Sequence, residues 1–261
     1  MRALGIAASG MQAQQTRVDV ISNNIANMST TAYNARRAEF ADLMYQQLER
    51  PGSISSDQGT QLPTGVQIGL GVRTVAVSMN HQQGNLIETG GELDMAIEGD
   101  GYFEVELPDG RSAYTRDGSF KRSAEGLVVT NEGYPLVPNI AIPQNVQSIS
   151  MNPNGEVYAN FNAQTEAQLL GTVTLTNFVN EKGLEAIGDN KFLESEASGQ
   201  PLTGVPAIDG RGSIRQRYLE SSSANIVEQL TFLIEAQRGY EMNAKVITAS
   251  DQMMSTTSQI R

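Results

Sequence analysis

The stretch NIVEQLTFLIEAQRGYEMNAKVITASDQMMSTTSQI, residues 225–260, decides how the rest of the chain is read. Within it Ile226, Leu230, Leu233, Tyr240, Ala244, Ile247 and Met254 recur at steps of three, four or seven, which is the spacing of a heptad stripe on one helical face. Gln237, Asp251 and Ser258 hold the places that complete the second seam, so the stripe is narrow and weakens toward its end. Some 35 residues at 1.5 Å each make a rod of about 50 Å, too long to lie across one face of a compact domain. The helix therefore needs a partner.

The opening of the chain supplies one. Leu4, Met11, Val18 and Ile25 stand seven apart, with Ala7, Gln14, Ile21 and Met28 three residues behind them. The two ends are suited to each other, or to copies of each other. A lone helix in water is marginal even with good formers, so these ends are expected to be mobile in a free subunit and ordered when bundled. The expected class is α+β: N- and C-terminal helices forming a coiled-coil bundle, with a central mainly-β domain.

Composition excludes several classes. The chain has 261 residues, 39% hydrophobic and 18% charged, which is neither a disordered tail nor too short for a real core. It has no Cys, so there is no disulfide framework, thiolate metal site or cysteine nucleophile. The net charge of −11 lies in the middle, because residues 1–44 and 221–261 are each within one charge of neutral. Near-neutral ends can pack against copies of themselves, whereas the acidic middle reads as a solvated surface. No basic stripe exists to displace counterions from nucleic acid, and no apolar run approaches the ~20 residues needed to span a bilayer. The start MRALGIAASGM resembles a short signal peptide, but Gly5, Ser9 and Gly10 interrupt it and the heptad runs through it, so no cleaved signal is expected.

After the first stripe, Asn23, Asn24, Asn27, Ser29, Thr30 and Thr31 favour caps and turns, and the first helix should end near Met28. Residues 45–73 are rich in Gly and Gln, yet Val66, Ile68, Leu70 and Val72 alternate with Gln67, Gly69 and Gly71 at the period of a strand. That segment reads as half linker and half hairpin. Residues 93–192 read as β-structure: Phe103, Val105 and Leu107 alternate with Glu104 and Glu106, then Pro108-Asp109-Gly110 turns the chain back into 111–116. Asp117-Gly118, Glu125-Gly126, Glu132-Gly133 and Asn154-Gly155 punctuate further short strands. Residues 193–220 return to Gly, Pro and Ser and read as a connection, after which Ser221 to Ser223 and Asn225 offer helix caps. The expected divisions are thus 1–44, 45–92, 93–192, 193–220 and 221–261.

No catalytic chemistry is expected. The one histidine, His81, lies in a polar MNHQQGN setting and reads as a surface residue. Gly99-Asp100-Gly101 lacks the third glycine and crossover helix of a dinucleotide site, Asn152, Asn154 and Glu156 lack calcium-loop spacing, and no serine sits in a G-x-S-x-G elbow. Catalytic residues, cofactors and metals are all expected to be none.

Four stretches carry a resemblance. N-N-x-A-N-x-x-T-x-x-aromatic, made by Asn23, Asn24, Ala26, Asn27, Thr30 and Tyr33 and preceded by A-S-G-M at 8–11, resembles the N-terminal signature of the bacterial flagellar rod and hook family. The family's usual Gly before the aromatic is Ala32 here, so a turn built on positive φ could be reshaped. AIEGDGYFEV at 96–105 and YTRDGSF at 114–120 resemble the family's central domain, and Gln237, Arg238, Tyr240 and Asn243 fall on its closing helix. The stretch 45–73 and its continuation resemble an insertion that marks the distal-rod members.

The resemblance implies a structural subunit that polymerises into the helical, tubular distal rod of the flagellar basal body and transmits motor torque toward the hook. It implies a homo-polymer meeting proximal rod proteins, hook or hook-junction proteins and the flagellar P and L rings. The subunit would leave through the type III export apparatus without a cleaved signal and reside in the periplasm and outer-membrane region. The alternatives are a hook or proximal-rod relative or, from another class, a peptidoglycan- or carbohydrate-binding β-domain. The expected assembly residues are Leu4, Met11, Val18, Ile21, Ile25, Met28, Ile226, Leu230, Leu233, Tyr240, Ala244 and Ile247.

Overall fold

The computed structural model describes residues 2–51, 64–161 and 167–259. Residues 52–63, part of the expected distal-rod-like insertion, and Ile260 lie outside them. The chain is α+β: helix α1 (Arg2–Ala26), a strand-rich middle, and helix α2 (Ile226–Gln259). It divides into two compact units.

The helical unit takes residues 1–26, 36–78 and 226–261. α1 ends at Ala26, where the Asn- and Thr-rich run begins, and α2 opens at Ile226 directly after Asn225. Two strand pairs accompany the helices. Arg36–Asp42 lies beside Val72–Met79, and Tyr45–Glu49 runs antiparallel to Val66–Gly69 with Tyr45 opposite Gly69. The alternation at Val66 and Ile68 is thus a strand, as its period indicates.

The β unit takes residues 27–35 and 79–225. Its largest sheet has five strands in the order Leu136–Val137, Phe103–Glu106, Ser112–Thr115, Lys191–Leu193, Glu185–Gly188, all antiparallel. The hairpin at 103–115 closes as the alternation and Pro108-Asp109-Gly110 require: the Leu107 N–H donates to the Arg111 carbonyl, and Gly110 takes a φ of 78°. A three-stranded sheet of Val146–Met151, Glu156–Phe161 and Gln168–Thr172 follows, its first turn carried by Gly155 at a φ of 82°. The core gathers Met95, Ile97, Phe103, Val105, Leu136, Val173 and Leu175, all essentially withdrawn from water. A second cluster stacks Tyr102, Tyr114, Phe178 and Phe192 edge to face, with ring centroids 4.8 to 6.0 Å apart.

Two expectations are corrected. Residues 193–220, read as a connection, carry three strands: Leu202–Gly204 pairs with Leu175–Asn177, Ser213–Gln216 with Met95–Glu98, and Tyr218–Glu220 with Leu86–Glu88. Strands of three or four residues between Gly-rich turns are too short to show a period. His81 is not a surface residue. Its side chain is 16% exposed and its Nδ1 lies 3.1 Å from Glu181 Oε2 and 3.2 Å from the Tyr102 hydroxyl. The polar sequence around it gave no sign of partners 21 and 100 residues away.

Candidate assembly surface

α1 and α2 run antiparallel. The contacts between them descend on one helix as they climb on the other: Gly10 meets Asn243, Gln14 meets Gly239, Arg17 meets Glu235 and Phe232, and Asn24 meets Gln229. The buried positions are Ala7, Ala13, Ile21 and Asn24 on α1 and Gln229, Ala236 and Ser250 on α2. Apart from Ile21, the buried positions of the seam are small or amide side chains.

Glycine creates the close approaches. A Cβ at Gly10 would stand 2.9 Å from Asn243 Nδ2, and one at Gly239 would stand 3.1 Å from Gln14 Cδ, both tighter than ordinary van der Waals contact. Each helix thus gives up a side chain so that the other's amide can lie against its backbone. Beside Gly10, the Ser9 hydroxyl donates to the Ile6 carbonyl at 2.8 Å and accepts the Val72 N–H at 3.3 Å, which fixes the strand Val72–Met79 to α1. Two residues of the A-S-G-M stretch therefore have distinct tasks within one unit.

Asn24 is the most completely bonded residue of the seam. It is 1% exposed, its Oδ1 accepts the Arg36 N–H at 2.9 Å, and its Nδ2 donates to the Arg36 carbonyl at 2.8 Å and to Gln229 Oε1 at 3.0 Å. One side chain joins α1, the first strand and α2, using both donors and its acceptor. Arg17 adds an exposed ion pair to Glu235 at 3.1 Å and lies over the Phe232 ring at 5.5 Å. Exposed pairs of this kind contribute little to stability.

The expected assembly residues fall around this seam. Ile21 is buried within it; Leu4, Met11, Val18, Ile25, Leu233, Ala244 and Ile247 are half-buried; Met28, Ile226, Leu230 and Tyr240 are exposed. On α2 the seam runs through Gln229, Phe232, Ala236, Gly239, Asn243 and Ser250, each one residue before a heptad position, apolar at Leu230, Leu233, Tyr240 and Ala244 and polar at Gln237 and Asp251. One residue is about 100° of rotation, enough to turn the larger side chains aside. Val227, Ile234, Met242, Val246 and Met253 are also exposed, Val227 to 70%.

Of the resemblance residues, Asn24 and Asn243 lie in the seam, while Gln237, Arg238 and Tyr240 face outward. Asn27 accepts the Thr30 N–H on its carbonyl and the Thr30 hydroxyl on Oδ1, and Tyr33 is buried in the β unit. Ala32 keeps a positive φ of 53° and donates its N–H to the Glu220 carbonyl, so the turn persists although alanine carries it.

Sequence reasoning missed the residues that lock the β unit. Arg116, from the Y-T-R stretch, is an ion-pair partner of Glu220 at 3.0 Å, with the two side chains 9% and 2% exposed. It also donates to the carbonyls of Gly101 and Gly99 at 3.2 and 3.0 Å, while Glu220 Oε1 accepts the Gly84 N–H at 2.9 Å. A pairing across 104 residues leaves no local signal. Nearby, the bond from His81 holds the Glu181 carboxyl below its usual range, and burial drives the Tyr102 hydroxyl far above its own. Tyr114 is pushed up to about 12, by burial first and then by Glu104 and Glu194. Among the described residues no helix is long and apolar enough to cross a membrane, and no group of three side chains is arranged to hold a metal ion.

Three family models match the chain: Flagella basal body rod protein over residues 4–33, Flagellar hook protein FlgE/F/G D1 domain over 96–159, and Flagellar basal body rod FlgEFG protein C-terminal over 215–260. The flagellar basal-body rod protein FlgG of Caulobacter vibrioides is 49% identical over the whole of both chains, and that of Agrobacterium fabrum is 49% identical over 99% of each. The FlgG of Bacillus subtilis is 35% identical over 97% of each.

Proposed function

Because the chain belongs to the family of flagellar basal-body rod proteins FlgG and is a structural subunit of that rod, we propose that the outward apolar residues of α2, with the half-buried ones of α1, join neighbouring subunits into the helical tube of the distal rod. The observation that carries this reading is the placement of Leu230, Tyr240, Ile234 and Val246. They are exposed on a helix whose other face is already taken by α1. A subunit that ended as a monomer gains nothing from leaving them in water, at about 25 cal/mol per Å² of apolar surface. A second copy of the same pair, added head to tail, covers them and exposes the next set, and contacts that never close on themselves produce a filament. The helix pairs then bundle as coiled coil in the wall of the tube.

The strand pairs strengthen the contact. Tyr45, Leu48, Val66 and Leu70 are each 40% or more exposed, which suits 45–51 and 64–73 to lie against neighbouring subunits and to stiffen a rod that carries torque. The rod meets proximal rod proteins, hook or hook-junction proteins and the P and L rings within the periplasm and outer-membrane region, and its subunits leave through the type III export apparatus.

Negative-stain electron microscopy of the concentrated full-length protein tests the reading, beside the variant Leu230→Glu/Tyr240→Glu. Neither residue lies in the buried α1 seam, so the variant keeps its helix pair while the outward face gains two charges. Tubes from the first, with or without sheared rods as seeds, and none from the second are expected. Equal assembly by both removes the outward stripe from the interface.

A further inference from the structure

The spacing of the two helices permits a second way of pairing them. Leu4 with Ile247, Met11 with Tyr240, Val18 with Leu233 and Ile25 with Ile226 all come opposite one another at a single antiparallel register. That register differs by two residues, about 3 Å, and by a rotation near 100° from the observed one, in which Gly10 meets Asn243 and Asn24 meets Gln229. An apolar pairing of Leu, Ile, Val, Met and Tyr buries more hydrocarbon than the observed one, which apart from Ile21 and Phe232 is made of Ala, Gly, Ser, amides and Arg17. The observed seam even leaves Gln14 Oε1 buried with no hydrogen-bond partner, which is unfavourable in itself. Hydrocarbon burial alone does not select this seam.

We propose that Asn24, together with Gln229, is the register-determining residue of the subunit: its amide turns the faces of α1 and α2 that carry Gly10, Ala13, Ala236 and Gly239 toward each other and so holds Ile226, Leu230 and Tyr240 of α2 outward. The geometry has the required selectivity. Asn24 reads the N–H and the carbonyl of one backbone unit, Arg36, and in the same plane reaches Gln229. Rotating α1 by one residue takes this amide away from all three partners and strands the Asn24 and Gln229 amides, both buried, which costs more than each bond contributes when made. A buried amide that specifies register at some cost in stability is a known device of coiled coils. The Gly10 and Gly239 approaches complete it, since each leaves room for an amide only in the observed register.

The inference rests on the assembly reading for the reason the stripe is held out, but it is tested in the dilute subunit, where failure to polymerise does not affect the result. The chain has no Cys, so an introduced pair reports register without background. Gly10→Cys/Asn243→Cys marks the observed seam and Met11→Cys/Tyr240→Cys the apolar one; each is oxidised mildly in full-length protein, and the intrachain disulfide is quantified on a non-reducing gel. Oxidation traps a pairing however briefly it forms. With Asn24 and Gln229 in place the first pair should close well ahead of the second. In the Asn24→Leu/Gln229→Leu background the ratio should shift toward the second by about tenfold, on the scale of stranding a buried polar group. Gln229→Leu alone, which keeps both bonds to Arg36, should give an intermediate ratio. An unchanged ratio in the double variant overturns the proposal. So does an equal fall of both pairs in either variant, because the amides then hold the helices together without choosing their face.

Discussion

In the β unit Phe103, Val105, Leu136 and Val173 are wholly withdrawn from water, whereas the buried apolar side chains of the helical unit, among the described residues, are Ala7, Ala13, Ile21 and Ala236. The large apolar residues that remain exposed follow the opposite division. Among the described residues seventeen of twenty-five belong to the helical unit, Met44, Val227, Met242 and Met253 among the most exposed. One unit buries a core of large apolar side chains within the chain; the other leaves most of its large apolar side chains outside and closes on itself largely with alanines, amides and glycines. Stability and association are therefore assigned to different parts of one subunit.

The largest expected effect separates the two directly. Arg116→Met leaves Glu220 buried without its cation and should cost about 3 to 5 kcal/mol of β-unit stability, followed by tyrosine fluorescence in urea. Leu230→Ala, at an exposed position of α2, should change monomer stability by no more than about 0.5 kcal/mol. It should nonetheless lower the yield of tubes. Comparable costs for the two variants would break the comparison.

An intermediate effect comes from pH. Tyr114 is held neutral in the folded state up to about 12, and Tyr102 beyond that, so their contribution is complete below the ordinary tyrosine range near 10 and is lost as pH rises through the folded values. Glu181 titrates in the other direction. Its folded pKa is depressed, so its contribution is present above the ordinary glutamate range and fades as pH falls through the lower folded value. The fold of the β unit should thus fail between pH 10 and about 12, and Tyr114→Phe should extend its alkaline limit, as read by circular dichroism. If the helical signal and the β signal disappear together at every pH, the units are not independent.

The smallest effect sharpens the boundary at residues 27–35. Ala32→Gly relieves a left-handed backbone but loosens the unfolded chain, for a net gain of about 0.5 kcal/mol. A loss in thermal unfolding would show that the Ala32 methyl, 3% exposed, packs more usefully than its φ suggests.

How much of this was legible depends on where the signal resides. Helices of 25 and 34 residues declare themselves by period, and the hairpin at 103–115 by alternation around Pro108-Asp109-Gly110. The seam between the helices does so only in part: Ala7, Gln14 and Ile21 stand in the second row of the stripe, but heptad reading weighs bulk and hydropathy, and Gly10, Ala236, Gly239 and Asn243 have little of either. The apolar stripe was visible for the same reason the seam was hidden. Arg116 with Glu220 and His81 with Glu181 were out of reach because each pair joins residues about 100 apart, and nothing in the spacing of a sequence marks such a meeting.

The antiparallel pairing of α1 with α2 joins the first helix of the chain to the last, with the whole β unit between them. Closing so long a loop adds little equilibrium cost, since that cost grows only with the logarithm of loop length. It does impose an order of events. α1 waits without its partner until residues 226–250 exist, so the contact with the greatest sequence separation forms late in folding. A chain interrupted before Ile226 lacks the helix that α1 pairs with and the outward residues that α2 displays. The joining surface thereby doubles as a check on synthesis, absent from any copy stopped short of α2.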